Sequence, residues 1–560
     1  MASSRECIRP DTYIFLRLPS ELLKLVEINS NTIVDLGKLG CFPANLLLDR
    51  PFYHTYELRD GGNGNAWPEL AMLDAESVNG AETGEHDTVG IEEDYEVSLT
   101  DSAGRGKNNR LTVDDASRQA LSQKDIEEMK QGTEGKEIVE RIMANHSALD
   151  EKTTFARAKY TLRKTRKYLK RFVALPMEIG LLMEYVAEKE PGRIMEMREE
   201  SLALMMAWGN AKVTDEITVA HDQHHRRIGG GRCLVVDDTG GLMVAAIAER
   251  MGLLHSEYST PEETEANGNT QFPAPAMRTQ EPPDKDQPGA SNSKTHRDFT
   301  LPARTNTITL LHPAVQPNIS LLKYFGYDAN NPDPSHPLHK NLKPISWLQL
   351  LHPDEDPAYR EPEPVAHRVL ETWKSGKRGT YWKKRRRWER CRAIVDEARE
   401  GGFDALLIAS HMDPVSILSH TLPLLRGGGT IVMFSPTPES LIHVTDLYSR
   451  DRRTAYIQRL QTEDVHPTTS EQDTASQDFP LDPRLLLAPT IHTTRAREWQ
   501  VLPGRTHPLM TSRGGAEGYI FTARKAVPVA GNVAARGNFA GKKRKAKDDP
   551  TSSLQEPGAL

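Results

Sequence analysis

No run of apolar residues in this chain approaches the ~18 that a membrane-spanning helix needs, so a helical anchor within it is excluded. Cysteine is scarce. Cys7, Cys41, Cys233 and Cys391 lie far apart and form no C-x-x-C pair. That argues against a disulfide framework or a structural zinc site and fits a reducing compartment. The opening MASSRECIRP has no apolar core segment, so no secretory signal is expected. Neither a P-loop nor a G-x-S-x-G elbow occurs. His221, His224 and His225 cluster without a Cys or carboxylate at ligand spacing, so no metal is expected. Apolar residues are also few, at 37% with a mean hydropathy of −0.57 over 560 residues. A chain of this length and composition is read as two to four domains with unpacked stretches between them.

Basic residues are missing from two places. Between Asp60 and Gly104 there are twelve acids and no Lys or Arg; between Leu460 and Pro483 there are six acids and again none. Without those two stretches the net charge of −7 becomes +11. The parts expected to fold are therefore basic, which suggests an anionic partner such as nucleic acid.

The first sixty residues carry short apolar or β-branched runs separated by Pro19, Asn29–Asn31 and Gly37/Gly40, the pattern of a small β-barrel. The acidic stretch reads as a disordered insertion in a hairpin (about 60–104). Ser122, followed three residues later by Asp125, is a helix N-cap. Phe155, Ala158, Leu162, Leu169 and Phe172 are spaced as one helical stripe. Around it stand eight cations and no acid, among them Arg163, Lys164, Arg166, Lys167, Lys170 and Arg171. An uncompensated helix of this kind is a candidate for RNA phosphates, with a solvated basic face as the plainer alternative.

From Pro176 the pattern is α/β. Cys233–Val236 is an apolar run too short for a helix, and VVDDTGG then opens the helical run Leu242–Met251. Strand, glycine turn and helix form the first half of a nucleotide-binding sheet. Laid on the class I methyltransferase pattern, Asp237 takes the acidic position and Gly241 the middle glycine, next to Gly240. Thr239 and Met243 stand where the outer glycines belong. Side chains there would crowd a methionine–nucleoside cofactor, so the turn is expected to bind none. FDALLIA is followed by Ser410-His411-Met412-Asp413-Pro414, where Asp413 is either a base-holding group or a helix cap; the cap is favoured. LPLLRGGGTIVMFSPTPES reads as the late-sheet unit of such enzymes. Lys374–Arg392 holds ten basic residues in nineteen, with Tyr381, Trp382 and Trp388 interleaved. Lys383, Lys384, Arg385, Arg386 and Arg387 are candidates for phosphate contact, or for nuclear import.

Several long stretches together resemble one family. They are NTIVDLGKLGCFPANLLLDRPFY, GKEIVERIMANHSALDEKTTFARAKYTLRKTRKYLKRF, ISLLKYFGYD, the run from DALLIASHMDP to LYSRDRR, and LAPTIHTTRAREWQVLPGRTHPLMTSRGGAEGYIF. The chain resembles the non-catalytic subunits of the eukaryotic tRNA (adenine-N1)-methyltransferase that acts in the T-loop. The resemblance implies a β-barrel (1–118), a basic helical connector (119–175) and a Rossmann-like methyltransferase-type domain (176–528). That last domain would carry disordered insertions (about 261–300 and 460–483) and precede a basic tail (529–560). It further implies a nuclear heterotetramer with two catalytic subunits that hold S-adenosylmethionine, no catalytic residue in this chain, and tRNA as ligand. An active methyltransferase with a divergent loop and a free-standing nuclear RNA-binding adaptor are the alternatives.

Overall fold

A computed structural model describes residues 7–59, 68–74, 120–132, 135–146, 154–214, 220–221, 227–228, 231–255, 306–463, 478–496, 499–502, 505–508 and 518–528. The expectations for 75–104, 261–300, 464–477, the tail from 529, and His224 and His225 lie outside these residues.

Five strands build an antiparallel N-terminal sheet: β1 (Thr12–Arg17), β2 (Leu23–Ile28), β3 (Thr55–Arg59), β4 (Glu69–Met72) and β5 (Arg171–Leu175), in the order β2-β1-β5-β3-β4. A short hairpin, Ile33–Asp35 with Cys41–Pro43, adds Val34 and Phe42 to the same core as Ile14, Leu16, Tyr56 and Leu58. Edge strands β2 and β4 do not pair with each other among the described residues, and the unit is an antiparallel β sheet. Two expectations are corrected here. The acidic stretch is not all insertion, because Glu69–Met72 pairs with β3, Tyr56 opposite Met72. The basic helix expected over Phe155–Phe172 ends at Tyr168, and Arg171–Leu175 is a strand. Phe172 belongs to the sheet core, stacked on Phe42 at 5.5 Å and tilted against Tyr56 at 5.8 Å. One residue fitted both a 3.6 and a 2.0 periodicity, and the long-range partners decided between them.

The larger sheet has seven strands: β6 (Arg232–Asp237), β7 (Thr307–His312), β8 (Leu342–Ser346), β9 (Phe403–Ala409), β10 (Leu425–Ser435), β11 (Leu486–Thr493) and β12 (Tyr519–Lys525). Their order is β8-β7-β6-β9-β10-β12-β11, parallel except for β12, which runs antiparallel to both β10 and β11. This is a doubly wound α/β sheet with a reversed late strand, as expected for a methyltransferase-type domain. Alternate residues of β6 feed two cores. Cys233 and Val235 pack with the helices Ile179–Lys189, Glu199–Trp208 and Leu242–Arg250, while Leu234 and Val236 face Pro414–Thr421 and Glu439–Leu447. Phe15 and Leu23 of the N-terminal sheet are buried in the first of these cores, Tyr13 meets Tyr324 at 5.2 Å, and Arg17 pairs with Glu184 at 3.1 Å. No helix of the described residues is long and apolar enough to cross a membrane.

Candidate nucleic-acid interface and the glycine turn

The strand order reverses between β6 and β9, and the crevice beyond their carboxyl ends is where such sheets take a nucleotide. Here the turn Asp237–Met243 is knitted to itself. Asp237 is buried and accepts from the Thr239 amide at 2.7 Å, from the Thr239 hydroxyl, and from the Val244 amide at 3.4 Å. The Met243 amide donates to Thr239 Oγ1 at 3.2 Å, and Met243 is fully buried. Burial raises the Asp237 carboxyl to about 6, against the lowering pull of the Thr239 and Val244 donors. Asp238 ties the two strands: its Oδ2 accepts from Ser410 Oγ at 2.6 Å and from the His411 amide at 2.9 Å.

The remaining glycines face their own chain. Gly240 and Gly241 have φ of +70° and +92°, and a Cβ on Gly241 would stand 2.9 Å from Ile319 Cα. The Leu321 amide donates to Gly240 O at 3.0 Å, and Leu321 and Leu322 are fully buried. Arg193 closes the outside, donating to Ser320 Oγ at 2.8 Å. Close approach is what glycine permits, and here the approaching group is Ile319 rather than a ligand. Phosphate- or nucleoside-binding turns need outward-facing amides, whereas here the Thr239, Leu242, Met243 and Val244 amides are met by Asp237 and Thr239, and Ile319–Leu321 packs over the two glycines. At the end of β7, where a ribose-binding acid usually stands, the residue is the buried His312. The residues present do not fit S-adenosylmethionine. Asp413 is a helix cap, accepting from the Ser416 amide at 3.0 Å.

The basic run forms the first half of a 26-residue helix, Ser375–Glu400. Tyr381, Arg385 and Trp388 recur at helical spacing and turn inward, and Arg392, one turn further on, is exposed. The Tyr381 hydroxyl accepts from the Val365 amide at 3.2 Å, and Trp388 Nε1 donates to Tyr359 O at 2.9 Å. Arg385 pairs with Glu361 at 3.2 Å and Glu389 at 3.5 Å; Arg392 pairs with Asp396 at 3.6 Å. The other face is different. Lys374, Lys377, Arg378, Lys383, Lys384, Arg386 and Arg387 are all exposed, and none of them has an ion pair among the described residues. From Lys374 to Arg387 they span about 20 Å at 1.5 Å per residue. Of the five sequence candidates, four therefore face outward and Arg385 serves as a clamp.

The second basic helix, Thr154–Tyr168, packs on Gly135–Ala144 through a core of Ile126, Ile138, Ile142 and Tyr168. Arg163 and Lys167 are exposed, and Lys164 lies over the Tyr160 ring at 5.0 Å. Lys170 follows the helix, and Arg171 pairs with Glu57 at 2.9 Å in β3. The side chains of Leu162 and Arg166 lie outside the described residues. The structure does not join the two basic helices into one site among the described residues: they stand on different cores.

The Gcd10p family model matches residues 7–374. The chain belongs to the Gcd10p family. That match runs from the first described residue to Lys374, which caps the basic helix. A relative from Aspergillus fumigatus, named tRNA (adenine(58)-N(1))-methyltransferase non-catalytic subunit trm6, is 45% identical over 96% of this chain and 95% of its own length. A protein of the same name from Aspergillus oryzae is 43% identical, covering 98% and 97%. Among solved structures, a SAM-dependent O-methyltransferase from Thermotoga maritima covers 94% of this chain and 96% of its own at 9% identity and a TM-score of 0.38. At that score the fold of this family member rests on its own strand order, not on the likeness. Sequence reasoning missed Ile319 and Leu321. Their density of apolar residues in ISLLKYFGYD signalled burial but not the place.

Proposed function

We propose that this chain is the non-catalytic, tRNA-binding subunit of a tRNA (adenine-58-N1)-methyltransferase. One observation carries the non-catalytic half: the glycine turn is occupied by the chain's own Ile319 and Leu321. The relatives' names support the same reading. S-adenosylmethionine is then bound by a catalytic partner subunit, and this chain adds RNA-binding surface. The exposed cations of the Ser375–Glu400 helix are its main phosphate contacts, with Arg163 and Lys167 of the second helix as a further set. Two copies of each subunit form a heterotetramer in the nucleus. The N-terminal sheet is a small barrel, a reading supported by the Ile33–Pro43 hairpin lying over its core. The division into β unit, helical connector and methyltransferase-like domain holds in this reading, with Arg171–Leu175 returned to the β unit.

Methylation of tRNA by this chain alone, by its partner alone and by both together tests the proposal. Activity only in the mixture is expected. Turnover by this chain alone would make it an active methyltransferase. Full activity of the partner alone would leave it an RNA-binding adaptor. Calorimetry with S-adenosylmethionine should show no binding to this chain, and micromolar binding would overturn the reading of the turn.

A further inference from the structure

Three aromatic residues interleave with the cations of the basic helix, and the fold treats them unequally. Trp388 is buried and donates its indole N–H to Tyr359 O. Tyr381 is half-buried, with its hydroxyl engaged by the Val365 amide. Trp382 is 42% exposed. Its ring stands edge-on to Tyr381 at a centroid distance of 5.3 Å and 71°, so one side is braced by a residue that is itself pinned. Arg378 and Arg386 are one turn before and one turn after it, Lys383 is its neighbour, and all three are exposed.

We propose that Trp382 is a stacking platform for an unpaired nucleobase of the bound RNA. The inference rests on the reading of this helix as RNA-binding and names the part of the RNA it takes. A duplex offers this helix only phosphates. An exposed indole among cations gains from a base whose face is free, while the neighbouring Lys and Arg hold the phosphates on either side. The brace from Tyr381 reduces the rotamer freedom lost on stacking. A protein anchor is the competing use of an exposed tryptophan. The surroundings disfavour it, because protein interface cores are depleted in lysine and this ring sits among cations with no ion pair among the described residues.

The test uses the full chain, alone and with its catalytic partner, and three probes: a tRNA transcript, a single-stranded oligouridylate and a blunt RNA duplex. Trp382→Leu should weaken tRNA and single-strand binding about tenfold, within the ~1–3 kcal/mol that one stacked base contributes. Duplex binding should hold. The slope of log affinity against log salt should not change, because an indole releases no counterion. Trp382→Phe keeps a ring and should restore most of the affinity. The variant Lys383→Ala/Lys384→Ala/Arg386→Ala/Arg387→Ala is the control for the underlying reading and should lower the slope. If that slope falls but Trp382→Leu binds like the parent, the stacking proposal is wrong and the RNA reading stands. If neither set changes binding, the helix is not an RNA site and both fail. If Trp382→Leu releases the partner subunit while RNA affinity holds, Trp382 is a protein anchor and the proposal is overturned.

Discussion

The Ser375–Glu400 helix carries charge in both halves, under opposite conditions. Near its C-terminus Glu397 is buried between two cations from the central sheet. Lys343 Nζ of β8 donates to Glu397 Oε2, and Arg232 of β6 approaches Oε1 at 3.5 Å. Arg232 also donates to Gly401 O at 2.7 Å and lies over the Phe403 ring at 4.7 Å. About three to four turns earlier, Lys383, Lys384, Arg386 and Arg387 are exposed and have no ion pair among the described residues. Buried cations must have partners, because an unpaired charge in a low-dielectric interior is severely disfavoured. Exposed cations need none and remain available to a ligand. Cations of one kind thus fix the helix to the sheet at one end and present a surface at the other.

The largest effect should come from breaking the buried end. Glu397→Ala removes the carboxylate that pairs with the buried Arg232 and Lys343 and should cost about 3–5 kcal/mol, read by chemical denaturation. RNA affinity per folded molecule should be unchanged. If stability survives, the two ends are not different in kind. Leu321→Ala, in the segment over the glycine turn, should cost about 2–5 kcal/mol as a buried cavity, without any gain of S-adenosylmethionine binding. Binding gained by that one truncation would mean the turn is only masked.

At the exposed end, changing Lys383, Lys384, Arg386 and Arg387 together to Ala should move melting little, since exposed substitutions usually stay within about 0.5 kcal/mol each. tRNA affinity should fall, and each lost phosphate contact should reduce the log–log salt slope by roughly one unit. An unchanged slope would leave this run to nuclear import. Arg385→Ala sits between the two cases. Its partly exposed pairs with Glu361 and Glu389 should contribute at most about 1 kcal/mol, and the salt slope should stay near the parent's.

The smallest effect concerns pH. Asp237 is raised in the fold by burial, to about 6, so the folded state holds a proton that the unfolded chain releases at its ordinary, lower pKa. Between those values the unfolded state binds fewer protons, and the Asp237 contribution to stability falls as pH rises, levelling off above about 6. Asp237→Asn removes this component. The denaturation midpoint of the parent should therefore fall relative to that of the variant as pH rises from 4 to about 6; parallel curves would show that Asp237 stays ionised in the fold.

Local signals in the sequence were reliable where neighbours in the chain supply both partners. Ser122 and Asp125 exchange hydrogen bonds at 2.9 and 3.2 Å, and Asp413 caps its helix. FDALLIA is a buried strand because seven apolar-rich residues flanked by glycine and Ser410 suit the centre of a parallel sheet. Phe172 was misread because its partner Tyr56 lies far away in the chain, and Glu69–Met72 was misread because a short strand was hidden in an acid-rich stretch, although its partner Thr55–Arg59 lies close by. Within the basic run, composition marked five cations alike, and only packing against Tyr359–Val365 separates Arg385 from its neighbours.

The sequence by itself determined the class of sheet, the loss of two turn glycines at Thr239 and Met243, and the family to which the chain belongs. These are properties of residue identity and short-range order. What fills the turn, which cations have partners and which of three aromatic rings faces water were decided only by the tertiary structure. Each depends on atoms brought together from distant positions: Ile319 onto Gly241, Glu397 between Arg232 and Lys343, and Tyr359 onto Trp388. Burial sets the energetic sign of a charge or a ring, and burial is a property of the assembled fold.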